Sequence, residues 1–546
     1  MKWVSTVRMR HGLSWLGVMV IMAMLRPAVP AAQSPISTAA KTGDRAAVRR
    51  LIAGKADVNA PAADGSTALL WAVYNSDIDM VRALLAAGAK TDVVNKYGMS
   101  PLLQASRTGD LPIIEALVKA GANAGMAHTD GETPLMAAAR TGRVEAVRLL
   151  LTKGIDVNAT DSLQNQSALM WAAAEGHTEV VNALLEAGAK PNLQAAVTKL
   201  TARSHADHPT GGFTALMWAA RNGHEDVVKA LAKGGADLKA KNGDGASATM
   251  IAIANDRLDI ANLLLDLGAD PNDGALYMAV DQHDATTDAR AKDGGLLRWD
   301  HQNKTTTMDL IKRLLAMGAD PNKAFVGQLH SISMANPENH NASAFFRAAV
   351  ASDVEALKVL MPKSDLKWSP VAAGAGGRGG NAGRSALMVA AVGGKGMAFG
   401  GGPGFGRLAD PIWREPGSRK PNDAVELLLK AGADPNFQLE DDGNTVLHQA
   451  VQRNDLDLIR LLARNKADLQ IYNWTGQTPI DIAEENWDTE QKRVGPAPEV
   501  LQAMNAGTPI PEVKSAFPTV QLMRELLGYP ALPQPAAKAP AAAPAR

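Results

Sequence analysis

A short apolar block recurs along this chain with a period of about 33 residues, and that period constrains the fold more than any other feature. TALLWAV begins at Thr67, SPLLQAS at Ser100, TPLMAAA at Thr133, SALMWAA at Ser167, TALMWAA at Thr214 and SATMIAI at Ser247. SALMVAA at Ser385, TVLHQAV at Thr445 and TPIDIAE at Thr478 follow. The first six start at even steps except for the longer one from Ser167 to Thr214, which is one unit plus an insertion. A second block trails each first block, as in VRALLAAGAK from Val81, IEALVKAGAN from Ile114, VRLLLTKGID from Val147 and VKALAKGGAD from Val228. Each unit reads as two short helices and a turn.

Local chemistry supports that reading. Thr or Ser at the head of the first block can cap a helix, and Pro101, Pro134 and Pro479 sit just inside the start, where no backbone donor is needed. The Leu-Leu pair of the second block gives an apolar stripe, and the Gly of its GAD or GAK ending can close the helix in the left-handed conformation. Neither helix can bury its apolar face alone. Stacked units share one continuous core, which lets 546 residues fold with only 4% aromatic side chains.

GGFTALMWAARNGHEDVVKALAKGGAD, Gly211 to Asp237, and DGETPLMAAARTGRVEAVRLLLTKGID, Asp130 to Asp156, resemble the ankyrin repeat, whose pattern is D-x-x-G-x-T-P-L-x-x-A-A-x-x-G-H-x-x-V-V-x-x-L-L-x-x-G-A-D. The resemblance covers residues 37–485. It implies an all-α repeat solenoid of helix-turn-helix units with short β-hairpin fingers, about 10–12 repeats in number, carrying three insertions. The family's His after Leu occurs only as His448; Leu70, Leu103, Met136, Met170 and Met217 replace it, so the hydrogen bonds of that His are expected to be lost elsewhere. His177 and His224 fall in the family's Gly-His turn, a structural position. Asn272 runs almost directly into Gly274, which leaves that repeat without a full finger.

The insertions are read at Leu193 to Thr210, about Asp284 to Thr306 and about Gly394 to Pro421, and as linkers between stacked repeats they are expected to leave from one face. A degenerate unit, SAFFRAAVASDVEALKVLM from Ser343, lies between the second and third. AAKTGDRAAVRRLIAGKADVN, Ala39 to Asn59, reads as an N-terminal half-unit. Residues 486–528 are expected to form a helical cap with a last helix from Val520 to Leu527, and 529–546 an Ala/Pro-rich disordered tail.

Residues 1–31 have the form of an address. Lys2, Arg8 and Arg10 precede an apolar run, Leu13 to Leu25, and Val29-Pro30-Ala31 is a small-residue cleavage pattern. The run is shorter than the roughly 20 residues that a membrane span needs. A secretory signal is therefore expected, giving an exported protein of the periplasm or extracellular space, bacterial in type, with no membrane span in the mature chain. The signal holds four of the 56 basic residues and none of the 56 acidic ones, so the mature chain is mildly acidic. Such a balance disfavours nucleic acid as a partner. The absence of Cys excludes disulfides, thiolate zinc sites, iron–sulfur clusters and Cys nucleophiles.

No motif points to catalysis. Gly374, Gly376 and Gly379 satisfy G-x-G-x-x-G, but no strand pattern precedes them, and the stretch from Gly374 to Gly406 is so dense in Gly that it reads as a low-complexity loop. Gly394-Lys395 lacks the rest of a phosphate-binding loop. His205, Asp207 and His208 share one insertion without the further fixed ligands a metal needs. GxSxG and HExxH are absent. No cofactor, metal or enzymatic activity is expected; a site built by the insertions and a surface adhesin are the alternatives.

What remains is a binding surface. In the family, the finger tips and the exposed side of the first helices form a concave face that meets protein partners. The resemblance places Tyr74, Arg107, Arg140, Glu175 and Arg221 on the first helices, and Lys96, Tyr97, Met99, His128, Glu132, Leu163 and Gln164 on the fingers. Tyr and Arg are enriched among interface hot spots, which singles out Tyr74, Tyr97, Arg107, Arg140 and Arg221. A basic row interrupted by Glu175 favours a partner with an acidic stripe, and Arg107 and Arg140 are expected to be surface residues whose charge reversal leaves folding untouched. Trp71, Trp171 and Trp218 are expected to pack between repeats.

Overall fold

A computed structural model describes residues 34–197, 211–286, 303–325, 342–369, 383–392, 421–492 and 515–533. These residues contain 24 α-helices in twelve consecutive pairs. The expected signal, residues 198–210, 287–302 and 393–420 of the insertions, His205, Asp207, His208, the glycines Gly374, Gly376, Gly379 and Gly394 with Lys395, and most of the tail lie outside the described residues. The chain divides into two compact units after Ala196.

The first unit holds five pairs: α1 (Pro35–Lys41) with α2 (Arg45–Ala53), α3 (Ala68–Tyr74) with α4 (Ile78–Ala86), α5 (Pro101–Thr108) with α6 (Leu111–Lys119), α7 (Pro134–Thr141) with α8 (Val144–Leu151), and α9 (Ala168–Glu175) with α10 (Thr178–Glu186). Each inner helix starts under a hydroxyl cap: Thr67 Oγ1 accepts from Leu70 N at 3.3 Å, and Ser100 Oγ from Leu103 N at 3.2 Å. The outer helices α2, α4 and α6 begin instead at Asp44, Asp77 and Asp110, whose carboxylates accept from the backbone three residues on. Leu69, Leu102, Leu135 and Leu169 from the inner helices and Leu84, Leu117, Leu150 and Leu184 from the outer ones are all at most 2% exposed. They form the continuous core that the Leu periodicity predicts.

Two turns close each unit. Gly142 ends α7 at φ +72°, and a Cβ there would lie 2.6 Å from the ring of His177, which itself contacts the Arg140 carbonyl through Nε2 at 2.9 Å. The Gly176-His177 turn thus ties the fifth repeat to the fourth. The fingers are shallower than hairpins. Lys96 N donates to Asp64 O of the preceding finger at 2.9 Å and Ser162 N to Asp130 O at 2.7 Å, yet no strand forms among the described residues. The cause is local: Asn95 Oδ1 accepts from Tyr97 N and Met99 N, and Asp161 Oδ1 from Leu163 N and Gln164 N, so Asx side chains take donors that a longer ladder would use.

The N-terminal half-unit is in fact a whole repeat. Ser34 caps α1, accepting from Ser37 N, with Pro35 next in line as in the Ser100 block. SPISTAA therefore stands one full period before Thr67, with Ser37 in a core Leu position. Its hydroxyl is buried and donates to Ser66 O at 2.9 Å, which removes the cost of placing a polar group there.

The second unit holds seven pairs: α11 (Ala215–Asn222) with α12 (Glu225–Lys233), α13 (Ala248–Ala254) with α14 (Leu258–Asp266), α15 (Ala275–Thr286) with α16 (Thr307–Ala316), α17 (Ala344–Ala351) with α18 (Val354–Leu360), α19 (Ala386–Val392) with α20 (Pro421–Lys430), α21 (Val446–Gln452) with α22 (Leu456–Arg464), and α23 (Pro479–Lys492) with α24 (Phe517–Leu526). The expected placement of the insertions needs correcting. The second and third fall inside repeats, between α15 and α16 and between α19 and α20, whereas Leu193 to Thr210 falls at a finger. The second is also anchored at its end, where Asn303 Oδ1 accepts from Leu258 N at 3.0 Å and the Asp259 carboxylate accepts from Lys304 N and Thr305 N. At the C-terminal end, α23 continues past residue 485 and α24 starts at Phe517, which packs on Trp487 at 5.0 Å.

The family His is partly replaced by sulfur. His448 Nδ1 accepts from Thr445 N at 3.1 Å, and Met136 Sδ and Met217 Sδ take the same position on Thr133 N and Thr214 N at 3.5 Å. The bond is weakened there, not lost. His448 is fully buried, and burial holds its pKa below the ordinary value of 6.5. The unfolded chain then binds the proton more readily, so this group leaves stability intact above pH 6.5 and lowers it as pH falls from there toward the folded pKa. Urea midpoints are expected to drop between pH 7.5 and 5.5, and His448→Gln to flatten that dependence; equal slopes would show that His448 does not carry it.

Candidate functional site

The seventh residue after each capping hydroxyl lies in or beside the last turn of an inner helix, which aligns Lys41, Tyr74, Arg107, Arg140 and Ala174 in the first unit. Lys41 is hidden when the first repeat is read as half a unit. Glu175 stands one position further on, at the exposed end of α9, so it flanks the row and does not interrupt it.

Cations in this row are held by what the next repeat offers. Lys41 Nζ lies 4.8 Å from the centroid of the Trp71 ring, and the Arg140 guanidinium 5.4 Å from that of Trp171. Arg107 faces a repeat with Ala137 at the Trp position, and it turns instead to a carboxylate. Its Nε donates to Glu132 Oε2 at 2.8 Å, with a second, shorter contact from the terminal nitrogen. Arg140 lies 3.8 Å from the other oxygen of Glu132, whose side chain is only 15% exposed. The expectation that reversing the charges of Arg107 and Arg140 leaves folding untouched is therefore corrected: both are partly buried and share one half-buried acid. Reversing both charges would crowd three carboxylates together and cost folding stability as well as any docking.

Tyr74 and Tyr97 are open aromatic side chains of this face, 62% and 70% exposed. Tyr74 meets Trp71 edge to face with centroids 5.8 Å apart, which fixes the ring while leaving it accessible. At the fingers, Lys96 is exposed, Leu163 is 74% exposed, and His128 is engaged, contacting Tyr97 O through Nε2 at 2.7 Å and Asp130 through Nδ1 at 2.7 Å. In the second unit Arg221 is exposed and lies over Trp218 of its own helix at 5.5 Å. Trp71, Trp171 and Trp218 thus act as shelves for cations between and within repeats. Among the described residues no three His, Asp or Glu side chains gather as metal ligands, and no helix is long and apolar enough to cross a membrane.

Comparison with known proteins places these features. A family model for ankyrin repeats in three copies matches residues 36–127, 103–195, 194–275 and 418–491, together more than half of the chain. The human 2-5A-dependent ribonuclease is 44% identical over 61 residues, which are 11% of this chain and 8% of that protein. The I-Kappa-B like protein C2 of Microplitis demolitor bracovirus is 41% identical over 64 residues, 12% of this chain and 35% of its own length. This chain spans well under two thirds of either relative. The crystal structure of the human ASB11 ankyrin repeat domain aligns with a TM-score of 0.37 at 26% identity, covering 43% of this chain and 99% of that one. A capped inner helix, a glycine-closed outer helix and a finger bonded to its neighbour recur through both units, and the chain belongs to the ankyrin-repeat family.

Proposed function

We propose that the chain is a non-catalytic protein-interaction scaffold that meets its partner on the inner-helix and finger face of the first unit, in an exported compartment. The observation that carries this reading is the row of Lys41, Tyr74, Arg107 and Arg140 at one repeat position, with the open Tyr74 ring held on Trp71 beside cations stacked on tryptophan. Aromatic and cationic side chains already held on a preformed face bind at a reduced ordering cost. The row itself carries Lys41, Arg107 and Arg140 and no acid, while Asp64, Asp130 and Glu132 lie on the fingers and Glu175 beside it, so a partner presenting an acidic stripe along the row is favoured.

Affinity capture from the native compartment, with the chain lacking residues 1–31 as bait, tests the face. The double variant Tyr74→Ala/Tyr97→Ala is expected to reduce recovery of the principal partner about tenfold while its unfolding free energy stays within about 1 kcal/mol of the parent. Undiminished capture would move the docking face elsewhere. Export is supported by the order of charge, apolar run and small residues in 1–31; N-terminal sequencing of the full-length chain recovered from its host is expected to begin at Ala32, and an intact Met1 would overturn the secretory reading.

A further inference from the structure

The last two fingers of the second unit have chemistry opposite to that of the first unit's row. Residues 434–444, DPNFQLEDDGN, and 468–477, DLQIYNWTGQ, carry five carboxylates and no Lys, Arg or His. Tyr472 and Trp474 stand open among them, 63% and 60% exposed.

These rings are presented on a fixed base. Trp474 N donates to Asp442 O at 2.9 Å and Trp474 Nε1 to Glu440 O at 3.0 Å. The indole lies against Gly443, where φ is +73° and a Cβ would come within 2.6 Å of the ring. Gln438 Nε2 ties the two fingers by donating to Gly443 O at 3.0 Å and Tyr472 O at 2.8 Å. The carboxylates divide by role. Asp442 accepts from Asn444 through both oxygens and so belongs to the finger itself, at 2.8 and 2.7 Å. Glu440 and Asp441 are exposed, and their side chains have no hydrogen bond or ion pair among the described residues.

An open indole face attracts a cation, and unneutralised carboxylates beside it raise the local concentration of cations. A purely apolar ligand would leave Glu440 and Asp441 to be desolvated without a partner, and an anionic one would be repelled. A side chain with a cationic head on an apolar stem satisfies both features. We infer that the last two fingers of the second unit dock an Arg- or Lys-bearing peptide segment of a protein partner, at a surface separate from the first unit's face.

The test uses the full chain and a fluorescein-labelled octapeptide of alternating Arg and Gly, followed by anisotropy at low salt. Saturable binding that weakens as salt rises is expected, with the citrulline-Gly and Glu-Gly peptides failing to bind. Glu440→Gln/Asp441→Asn should weaken binding about tenfold and Tyr472→Ala about threefold, effects in the range of exposed cation–π and charge contacts. Tyr74→Ala/Tyr97→Ala should leave it unchanged, which separates this surface from the one proposed above. These variants avoid Trp474, whose loss could unseat the finger, and circular dichroism checks that each folds. Equal binding of the citrulline peptide, equal binding by the double amide variant, loss on the Tyr74→Ala/Tyr97→Ala variant, or no saturable binding of the Arg peptide would each overturn the inference.

Discussion

Leu150→Ala is expected to lower the unfolding free energy by roughly 2–5 kcal/mol, the range for truncating a fully buried Leu. Leu150 is the middle of three leucines in α8 and is 0% exposed, whereas Leu149 and Leu151 on either side are half-buried. Helix α8 packs on its own inner helix α7 and on both neighbouring outer helices, α6 and α10. A cavity at Leu150 therefore loosens two repeat interfaces at once, and in a stack where each unit touches only its neighbours no other contact compensates. Leu149→Ala and Leu151→Ala serve as controls, each expected to cost less than about half as much because part of the side chain is already in water. Urea denaturation of the three variants decides the matter. A loss below about 0.5 kcal/mol at Leu150, with a larger one at either neighbour, would mean that the assigned register is wrong by one residue.

That register is legible because the repeat states it many times over. Thr67, Ser100, Thr133, Ser167, Thr214 and Ser247 each cap a helix in the structure, and the glycines of the GAD and GAK endings take the left-handed conformation. Sequence and structure part where a pattern residue is replaced. SPISTAA has Ser37 where a Leu marks the block elsewhere, so the first repeat looks incomplete, although Ser34 keeps the step of one period to Thr67. The block ALYMAVDQHDAT after Gly274 has no capping hydroxyl, so α15 escapes the pattern and the insertion after it reads as a linker between repeats.

The candidate site is legible in position and not in electrostatics. The family pattern puts Tyr74, Arg107 and Arg140 on one row, and they are there. It cannot show that Arg107 and Arg140 converge on Glu132, because Glu132 belongs to a finger and meets Arg107 only when neighbouring repeats are stacked. Nor can it show which cations find a Trp shelf. The partner follows from what lies within reach: a Trp at the fourth position of the next repeat takes Lys41 and Arg140, and where the next repeat has none, Arg107 turns to a finger carboxylate and Arg221 to the Trp of its own helix.

Asp281→Ala is expected to destabilise the second unit by about 3–5 kcal/mol, the cost of leaving one member of a buried ion pair without the other. Asp281 on α15 accepts from Arg347 Nε on α17 at 2.7 Å, and the two side chains are 3% and 4% exposed. Sequence alone predicts that the interrupted stretch from Asp284 to Pro421 opens first, since insertions break the run of near-identical neighbours there. The pair crosses into that stretch and joins two inner helices, of which α15 reaches its outer partner α16 only through a long connection. Removing the carboxylate leaves the Arg347 guanidinium in a site it cannot leave without opening the stack, so amide exchange in α15 and α17 should accelerate while that in α3 to α8 stays unchanged. The double replacement Asp281→Leu/Arg347→Met separates stability from specificity: with both charges gone the desolvation cost goes too, and most of the loss should be recovered. If the double variant is as unstable as Asp281→Ala, the ion pair itself holds the repeats in register; if Asp281→Ala alone costs less than about 1 kcal/mol, neither charge is buried in the way described here.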